Sequence, residues 1–155
     1  MHKQILFGTP LIQFNLKLPE ETAEIQKLLL EQEATTENSP QARSNAGGWR
    51  SGLLQGRPEK CFQALNKATN ECFNKAVGAT FETEHKLSWA VNSWSIINRK
   101  GDYNLPHPHP HADWSSVYYV NAGDPPDKNH ENKALHFGGD IMFMVEMMLW
   151  ALTEP

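Results

Sequence analysis

The pattern of apolar and polar residues along the chain predicts two helices and several strands. Apolar residues spaced by three and four predict one helix that opens at Pro19 and ends near Glu33, and a second from about Arg57 to Gly78. Alternating patterns rich in β-branched and aromatic residues predict strands at 4–14 around a turn at Gly8, and at 86–99, 114–120, 134–137 and 141–152. This order is typical of an α+β fold in which two N-terminal helices brace one side of a mostly antiparallel sheet or barrel.

The polar residues between the two predicted helices give two further structural predictions. Residues 34–46 are mostly polar, with little to bury, and predict a surface loop. Gly47 and Gly48 follow this loop directly and precede Trp49. Two glycines there would permit a positive φ or a close approach of another part of the backbone.

Length and composition predict one soluble domain. The 155 residues, 39% hydrophobic and 21% charged, suit a single domain spanning 1–155. The net charge of −4 offers no basic surface for nucleic-acid phosphates. Cys61 and Cys72 lie three turns apart on one predicted helix, so they are expected to be reduced thiols. Without a leader or a run of about 18 apolar residues, a cytoplasmic protein that does not contact the membrane is expected.

A dense group of potential metal ligands lies just before the strand predicted at 114–120. Alternate residues of an extended chain share a face, and three prolines among the histidines favour that extended backbone. Imidazole and carboxylate together suit Fe(II), Zn(II) or Mn(II). The alternative is a solvated polyproline-type linker that chelates metal adventitiously. Because a strand expected to be buried follows at once, we favour a metal site. The four potential ligands are His107, His109, His111 and Asp113.

The same stretch resembles a known family. Residues 98–120, with their His-Pro-His-Pro core and their Ser-Ser-Val-Tyr-Tyr-Val ending, resemble the signature of the 2-oxoglutarate–Fe(II) oxygenases. The resemblance extends to 44–51 and 6–10, and it spans residues 5 to about 138. It implies a double-stranded β-helix (a jelly roll, cupin-like) with Fe(II) at the open end of the barrel. It also implies a reaction in which 2-oxoglutarate and dioxygen are converted to succinate and CO2 while an unidentified substrate is hydroxylated.

The resemblance suggests metal ligands position by position. It aligns His107 with the first iron ligand and His109 with the position usually held by a carboxylate, and Asp113 is the nearest carboxylate that could complete the set. A literal His-x-Asp at His111 and Asp113 is the alternative pair. No catalytic residue beyond the metal ligands is predicted.

Two further residues are candidates for binding the co-substrate. Tyr119 resembles the strand tyrosine that hydrogen-bonds the distal carboxylate of 2-oxoglutarate, although a cross-strand core aromatic is an equal interpretation. Asn98 and Trp94 would line the mouth of the barrel.

The end of the chain departs from the family pattern. Relatives continue to a distal histidine ligand and to an arginine that pairs with 2-oxoglutarate, whereas no arginine follows Arg99 here. The C-terminal strands are therefore expected to be atypical or missing after about residue 139. Besides an oxygenase, two hypotheses remain open: a non-enzymatic cupin-like metal-binding module, and a chain that associates through an open strand edge, as in a homodimer.

Overall fold

The computed structural model describes residues 2–6, 8–39, 44–81, 89–110, 112–122 and 139–145. These ranges contain two helices, α1 (Pro19–Thr35) and α2 (Lys60–Phe81). The strands are β1 (His2–Leu6), β2 (Thr9–Asn15), β3 (Asn45–Ala46), β4 (Trp49–Arg50), β5 (Ile96–Ile97), β6 (Tyr103–Asn104), β7 (Trp114–Tyr118) and β8 (Asp140–Val145). The fold is mixed, with two helices and small antiparallel sheets.

The largest sheet has four strands in the order β1-β2-β8-β7, all antiparallel. β1 and β2 form a hairpin whose turn contains Gly8 at φ 83°, as the apolar pattern around that glycine predicts. Ile141 of β8 lies opposite Phe14 on one side and Tyr118 on the other. Strands from three distant parts of the sequence therefore pair side by side in this sheet.

Helix α2 covers one face of this sheet. The buried cluster between them consists of Ile12, Phe14 and Ile141 from the sheet and Phe73, Ala76 and Val77 from α2. A second cluster, Ile25, Leu29, Cys61 and Phe62, joins α1 to α2. The predicted core role of the α2 phenylalanines is confirmed, and Cys61 and Cys72 are free thiols as expected.

Two small ladders form a separate group of strands. β3 pairs with β6 and β4 pairs with β5, so residues 45–50 run antiparallel to residues 96–104. Between the ladders, Gly47 and Gly48 have φ of 78° and 65°. A Cβ atom on Gly48 would lie 2.9 Å from the carbonyl oxygen of Ile97, and one on Gly47 would overlap the Asp102 carboxylate. The predicted close backbone approach at these glycines is confirmed.

The long strand predicted at 86–99 is wrong over most of its described part. Only Ile96–Ile97 is a strand, and residues 89–95 are irregular. The carbonyls of Ser93 and Ser95 accept single hydrogen bonds from the amides of Leu54 and Ser51. The segment that faces them turns at 55–56, so it cannot provide a continuous ladder. Residues 86–88 lie outside the described ranges.

Three other expectations differ in their bounds. α2 does not end at Gly78 but continues to Phe81, because burial of Ala76 and Val77 fixes this turn against the sheet. The strand after the histidines ends at Tyr118 and is only half-buried, with Val117 51% exposed. The predicted loop 34–46 contains the short strand β3, while the predicted strand 134–137 and residues 146–152 lie outside the described ranges.

Neither helix in the described part of the chain is long and apolar enough to cross a membrane. The described strands form three separate sheets and no closed barrel. The jelly roll thus remains an expectation from the family resemblance.

Candidate metal centre

The histidine tract, residues 107–113, is anchored at both ends by the sheets. On its N-terminal side, β6 pairs with β3, and the amide of Leu105 donates a hydrogen bond to the carbonyl of Ser44 (2.7 Å). On its C-terminal side, β7 pairs with β8. The tract therefore crosses from the small strands to the four-stranded sheet, and its ends are fixed by backbone hydrogen bonds.

Within the tract, two of the predicted ligands converge. The Nε2 atoms of His107 and His109 are 3.0 Å apart, and the two rings are nearly perpendicular, with centroids 4.8 Å apart and an interplanar angle of 77°. His107 Nδ1 lies 2.7 Å from the carbonyl oxygen of Leu105. Because a carbonyl only accepts, Nδ1 is the donor in this contact, and in the neutral ring the lone pair is then on Nε2. The backbone thus orients His107 as second-sphere partners orient metal-bound histidines.

The spacing of the two nitrogens fits adjacent ligands of one metal ion. Metal–nitrogen bonds of about 2.1 Å at a right angle place the two nitrogens about 3.0 Å apart. A hydrogen bond between two neutral imidazoles has the same length. His107 is exposed and His109 half-buried, so an ion could reach the pair from solvent. The two side chains therefore fit two positions of a metal site.

The other predicted ligands are not brought together with this pair in the described structure. Asp113 is exposed and directly precedes β7. Over the described ranges, no group of three or more His, Cys, Asp or Glu side chains could hold one ion. His111 lies outside those ranges. The third ligand, and the alternative pair His111 and Asp113, stay predictions.

Of the residues predicted to bind the co-substrate, Asn98 precedes the tract in the sequence and Tyr119 follows it. Tyr118 packs against the core cluster and its hydroxyl lies 2.5 Å from Thr22 Oγ1 of α1. Tyr119 follows directly, and its carbonyl accepts a hydrogen bond from the amide of Gly139 (2.8 Å). Since neighbouring residues of an extended chain point to opposite faces, Tyr119 lies on the face away from α2. Asn98 is exposed beside Gly48. Their roles toward 2-oxoglutarate stay predictions.

Arg50, which is not among the residues predicted to serve this site, is linked to it indirectly through the ring of Trp94. It is 7% exposed, and its Cζ atom lies 4.6 Å from the centroid of the Trp94 ring. The Trp94 ring in turn meets His109 edge to face, with centroids 6.5 Å apart. Burial lowers the pKa of the Arg50 guanidinium below its ordinary value. Its position in the Gly-Gly-Trp-Arg stretch was the one available signal in the sequence.

The strands around Arg50 also carry buried polar atoms without partners. Among the described residues these are Nδ2 and Oδ1 of Asn45, Nε1 of Trp49 and Oγ of Ser95. Buried polar groups in folded proteins are nearly always hydrogen-bonded. Such a concentration on β3, β4 and the residue before β5 marks this region as unusually polar inside.

Comparison with known proteins gives one finding. The family model described as "Putative 2OG-Fe(II) oxygenase" matches residues 92–148, which include the whole histidine tract and β7 and β8. The match does not include Arg50. No curated protein and no solved structure matches the chain. The resemblance predicted from the histidine tract is therefore confirmed over residues 92–138, and the match to the 2-oxoglutarate–Fe(II) oxygenase family continues to residue 148, past the point near 139 where the chain was expected to depart from the family.

Proposed function

We propose that this chain is a 2-oxoglutarate- and Fe(II)-dependent dioxygenase. It hydroxylates an unidentified substrate and converts 2-oxoglutarate and dioxygen to succinate and CO2. The observation that carries the proposal is the convergence of His107 and His109, 3.0 Å apart, inside the segment that matches the family. Two imidazoles that share one ion are the core of the non-haem iron sites used for this chemistry.

In this proposal His107 and His109 hold the iron and Asp113 supplies the carboxylate ligand. Bound Fe(II) provides the centre at which the keto acid chelates and dioxygen is activated. The Leu105 carbonyl accepts a hydrogen bond from Nδ1 of His107, which directs the lone pair of Nε2 to the ion. Tyr119 and Asn98 bind 2-oxoglutarate.

The arrangement of the strands supports a jelly-roll barrel around this site. The small β3–β6 and β4–β5 ladders and the four-stranded sheet would be its two walls, and the histidine tract connects them. α2 covers only one face of the four-stranded sheet. On the other face Val117 is 51% exposed, which suits a surface that lines a cavity. We take residues 1–155 as one such domain.

The test is an anaerobic titration of the metal-free chain with Fe(II) and then with 2-oxoglutarate. The keto acid should give a visible charge-transfer band when it chelates the iron, and succinate should form when oxygen is admitted. His107→Ala should lose the band. His2→Ala, a histidine outside the matched segment, should keep it.

The same titration separates the oxygenase from the alternative of a non-enzymatic cupin-like metal-binding module. The described structure brings together two histidines but no third ligand, which is the observation that keeps the module in consideration. Suppose that the wild type binds iron and His107→Ala does not, while 2-oxoglutarate gives neither a charge-transfer band nor succinate. In that case the oxygenase proposal is wrong and the metal-binding module is favoured.

A further inference from the structure

A cavity that opens to solvent lies between α2, the turn at 55–56 and the irregular segment that begins at residue 89. Its volume is about 310 Å³, and neither His107 nor His109 is among the described residues that line it. The cavity is therefore distinct from the candidate metal centre. Six of the lining residues carry a hydrogen-bonding side chain, and these are Gln55, Asn66, Thr69, Asn70, Trp89 and Ser93.

The hydrogen-bonding groups of this cavity are all neutral. They comprise three amides, two hydroxyls and one indole, and none of the described lining residues is charged. A charged ligand would lose water here without gaining a counter-ion. Amides and hydroxyls both donate and accept hydrogen bonds, so they match a ligand whose own groups do both. The cavity therefore suits a neutral ligand that is rich in hydroxyl groups.

The side chains contributed by α2 have unused hydrogen-bonding capacity. Asn66, Thr69 and Asn70 are spaced by three and four residues, so they lie on one face of the helix. None of the three side chains makes a hydrogen bond to another residue in the described ranges. Asn66 and Asn70 are exposed and Thr69 is half-buried. Their amide and hydroxyl groups are thus available to a ligand.

The aromatic residue of the cavity is fixed from behind by the core. Trp89 is half-buried, and its ring contacts that of Phe73, with a distance between ring centroids of 4.5 Å. Phe73 is itself only 7% exposed. An indole held in this way offers apolar surface beside a polar N–H group.

Two hydrogen bonds join the turn at 55–56 to the segment on the other side of the cavity. Gln55 Nε2 donates to the carbonyl of Val91 (2.7 Å), and the amide of Leu54 donates to the carbonyl of Ser93 (2.9 Å). The cavity is therefore formed before any ligand binds, which reduces the entropy lost on binding.

We propose that this cavity binds one ring of a neutral saccharide. The hydroxyls of a sugar ring extend from its whole perimeter, and its C–H groups form an apolar face that packs on aromatic rings. The cavity has the matching arrangement, because helix, turn and segment each place hydrogen-bonding groups around Trp89. Pockets for small molecules begin at about 300 Å³, so this one has room for a single ring. The inference does not depend on the proposed oxygenase function.

A nucleobase is a neutral ligand of similar size, but it fits the lining less well. Its hydrogen-bonding groups lie along the edges of a flat ring, and an amide reads them one edge at a time. Amides and hydroxyls that surround the cavity from three elements would then be largely unused. The lining therefore favours the sugar over the base.

The first experiment measures sugar binding to the metal-free chain by saturation-transfer NMR. The probes are the methyl glycosides of glucose, galactose, mannose and N-acetylglucosamine, and at least one should bind. The double variant Asn66→Ala/Asn70→Ala should weaken this binding by about 10-fold or more, because two hydrogen bonds are lost. Alanine is the best helix former, so α2 should persist in the variant.

Two further variants sharpen this experiment. Asn74→Ala removes the same side chain from the same helix at an exposed position that does not line the cavity, and it should bind the sugar as the wild type does. Asn70→Arg places a long side chain at the cavity and should abolish binding. Thermal unfolding of each variant establishes that folded chains are compared.

The second experiment follows tryptophan fluorescence during the same titration. A sugar beside Trp89 should change its emission, so Trp89→Phe should lose the change while NMR still detects weaker binding. Trp94→Phe is the control, because Trp94 does not line the cavity, and it should keep the change.

The inference is wrong if none of the four glycosides binds, or if the double variant binds as tightly as Asn74→Ala. Tighter binding of adenosine or of glucuronate than of every neutral sugar would likewise overturn it. Because the chain is metal-free, the result is separate from the proposed function. Sugar binding without a charge-transfer band would support the cavity and contradict the oxygenase, and the band without sugar binding would do the reverse.

Discussion

At the scale of single residues, Gly48 determines how closely the strands around the site can approach. Its φ of 65° lies in the left-handed region. A Cβ atom there would overlap the Asn98 side chain and lie 2.9 Å from the Ile97 carbonyl oxygen. The carbonyl belongs to β5 and cannot move without disturbing the β4–β5 pair. The same pair of strands carries Arg50, so this glycine also helps to fix the backbone beside that residue.

Gly48→Ala should therefore destabilise the chain by about 2–4 kcal/mol, the sum of a left-handed backbone cost and a steric clash. Gly56→Ala is a matched control, because Gly56 has a similar φ of 77° but nothing within 4 Å of its would-be Cβ. The control should lose only about 1 kcal/mol. Urea unfolding of both variants measures the difference. Equal losses would mean that the close approach contributes nothing.

The two kinds of residue at this site differ in how far the sequence reveals them. A Gly-Gly pair restricts the local backbone, so its conformational role could be predicted from neighbouring residues alone. The histidines could likewise be predicted as a pair, since residues two apart share a face. The placement of Arg50 on Trp94 depends on the β4–β5 pairing across more than forty residues. No local pattern specifies that contact.

At the scale of elements, α2 contributes two phenylalanines with very different surroundings. Phe73 is 7% exposed, and its ring contacts those of Trp89 and Trp114, with distances between ring centroids of 4.5 and 5.6 Å. Phe81, at the last residue of the helix, is 53% exposed, and its one ring contact within the described ranges is with the edge of Trp114, at a centroid distance of 6.4 Å. Because Trp114 begins β7, Phe73 connects the helix to the strand that follows the histidine tract.

Phe73→Ala should cost about 3–5 kcal/mol, as truncation of a buried aromatic usually does. Phe81→Ala removes the same atoms from the same helix and should cost less than about 1 kcal/mol. Chemical denaturation gives both values. A similar loss in both variants would contradict the packing described for α2.

The elements themselves could be predicted to different degrees. The helices have a dense three-four apolar spacing, and α1 begins at the predicted proline. Helical hydrogen bonds are local, so such a pattern is nearly sufficient. A strand requires a partner, and residues 89–95 face a segment that turns at Gln55 and Gly56. Their alternating pattern was therefore not enough to produce a ladder.

At the scale of the whole molecule, one ion pair links α1 to the approach to the histidine tract. Both guanidinium nitrogens Nη1 and Nη2 of Arg99 donate to the carboxylate of Glu33, at 2.5 and 2.7 Å. The amide of Arg99 also donates to Asp102 Oδ2 (2.8 Å), which closes the turn before β6. The helix is thus tied through this turn to the strand that leads into the tract.

This ion pair predicts a specific dependence of stability on pH. The hydrogen bonds from Arg99 lower the pKa of Glu33 below its ordinary value of 4.5. A carboxyl whose pKa is lowered by folding stabilises the folded state above its unfolded pKa, and this contribution is lost as pH falls through the folded pKa. Glu33→Gln should therefore lower stability at neutral pH, and the difference from the wild type should vanish in acid.

Urea midpoints between about pH 3 and about pH 7 measure this difference. Glu37→Gln removes the same charge from an exposed residue that has no ion pair in the described ranges, so it should follow the wild-type curve. Because Arg99 is 60% exposed in its side chain, high salt should reduce the effect at neutral pH. A stability loss in Glu33→Gln that stays constant down to about pH 3 would show that packing of the side chain, rather than its charge, connects α1 to the turn.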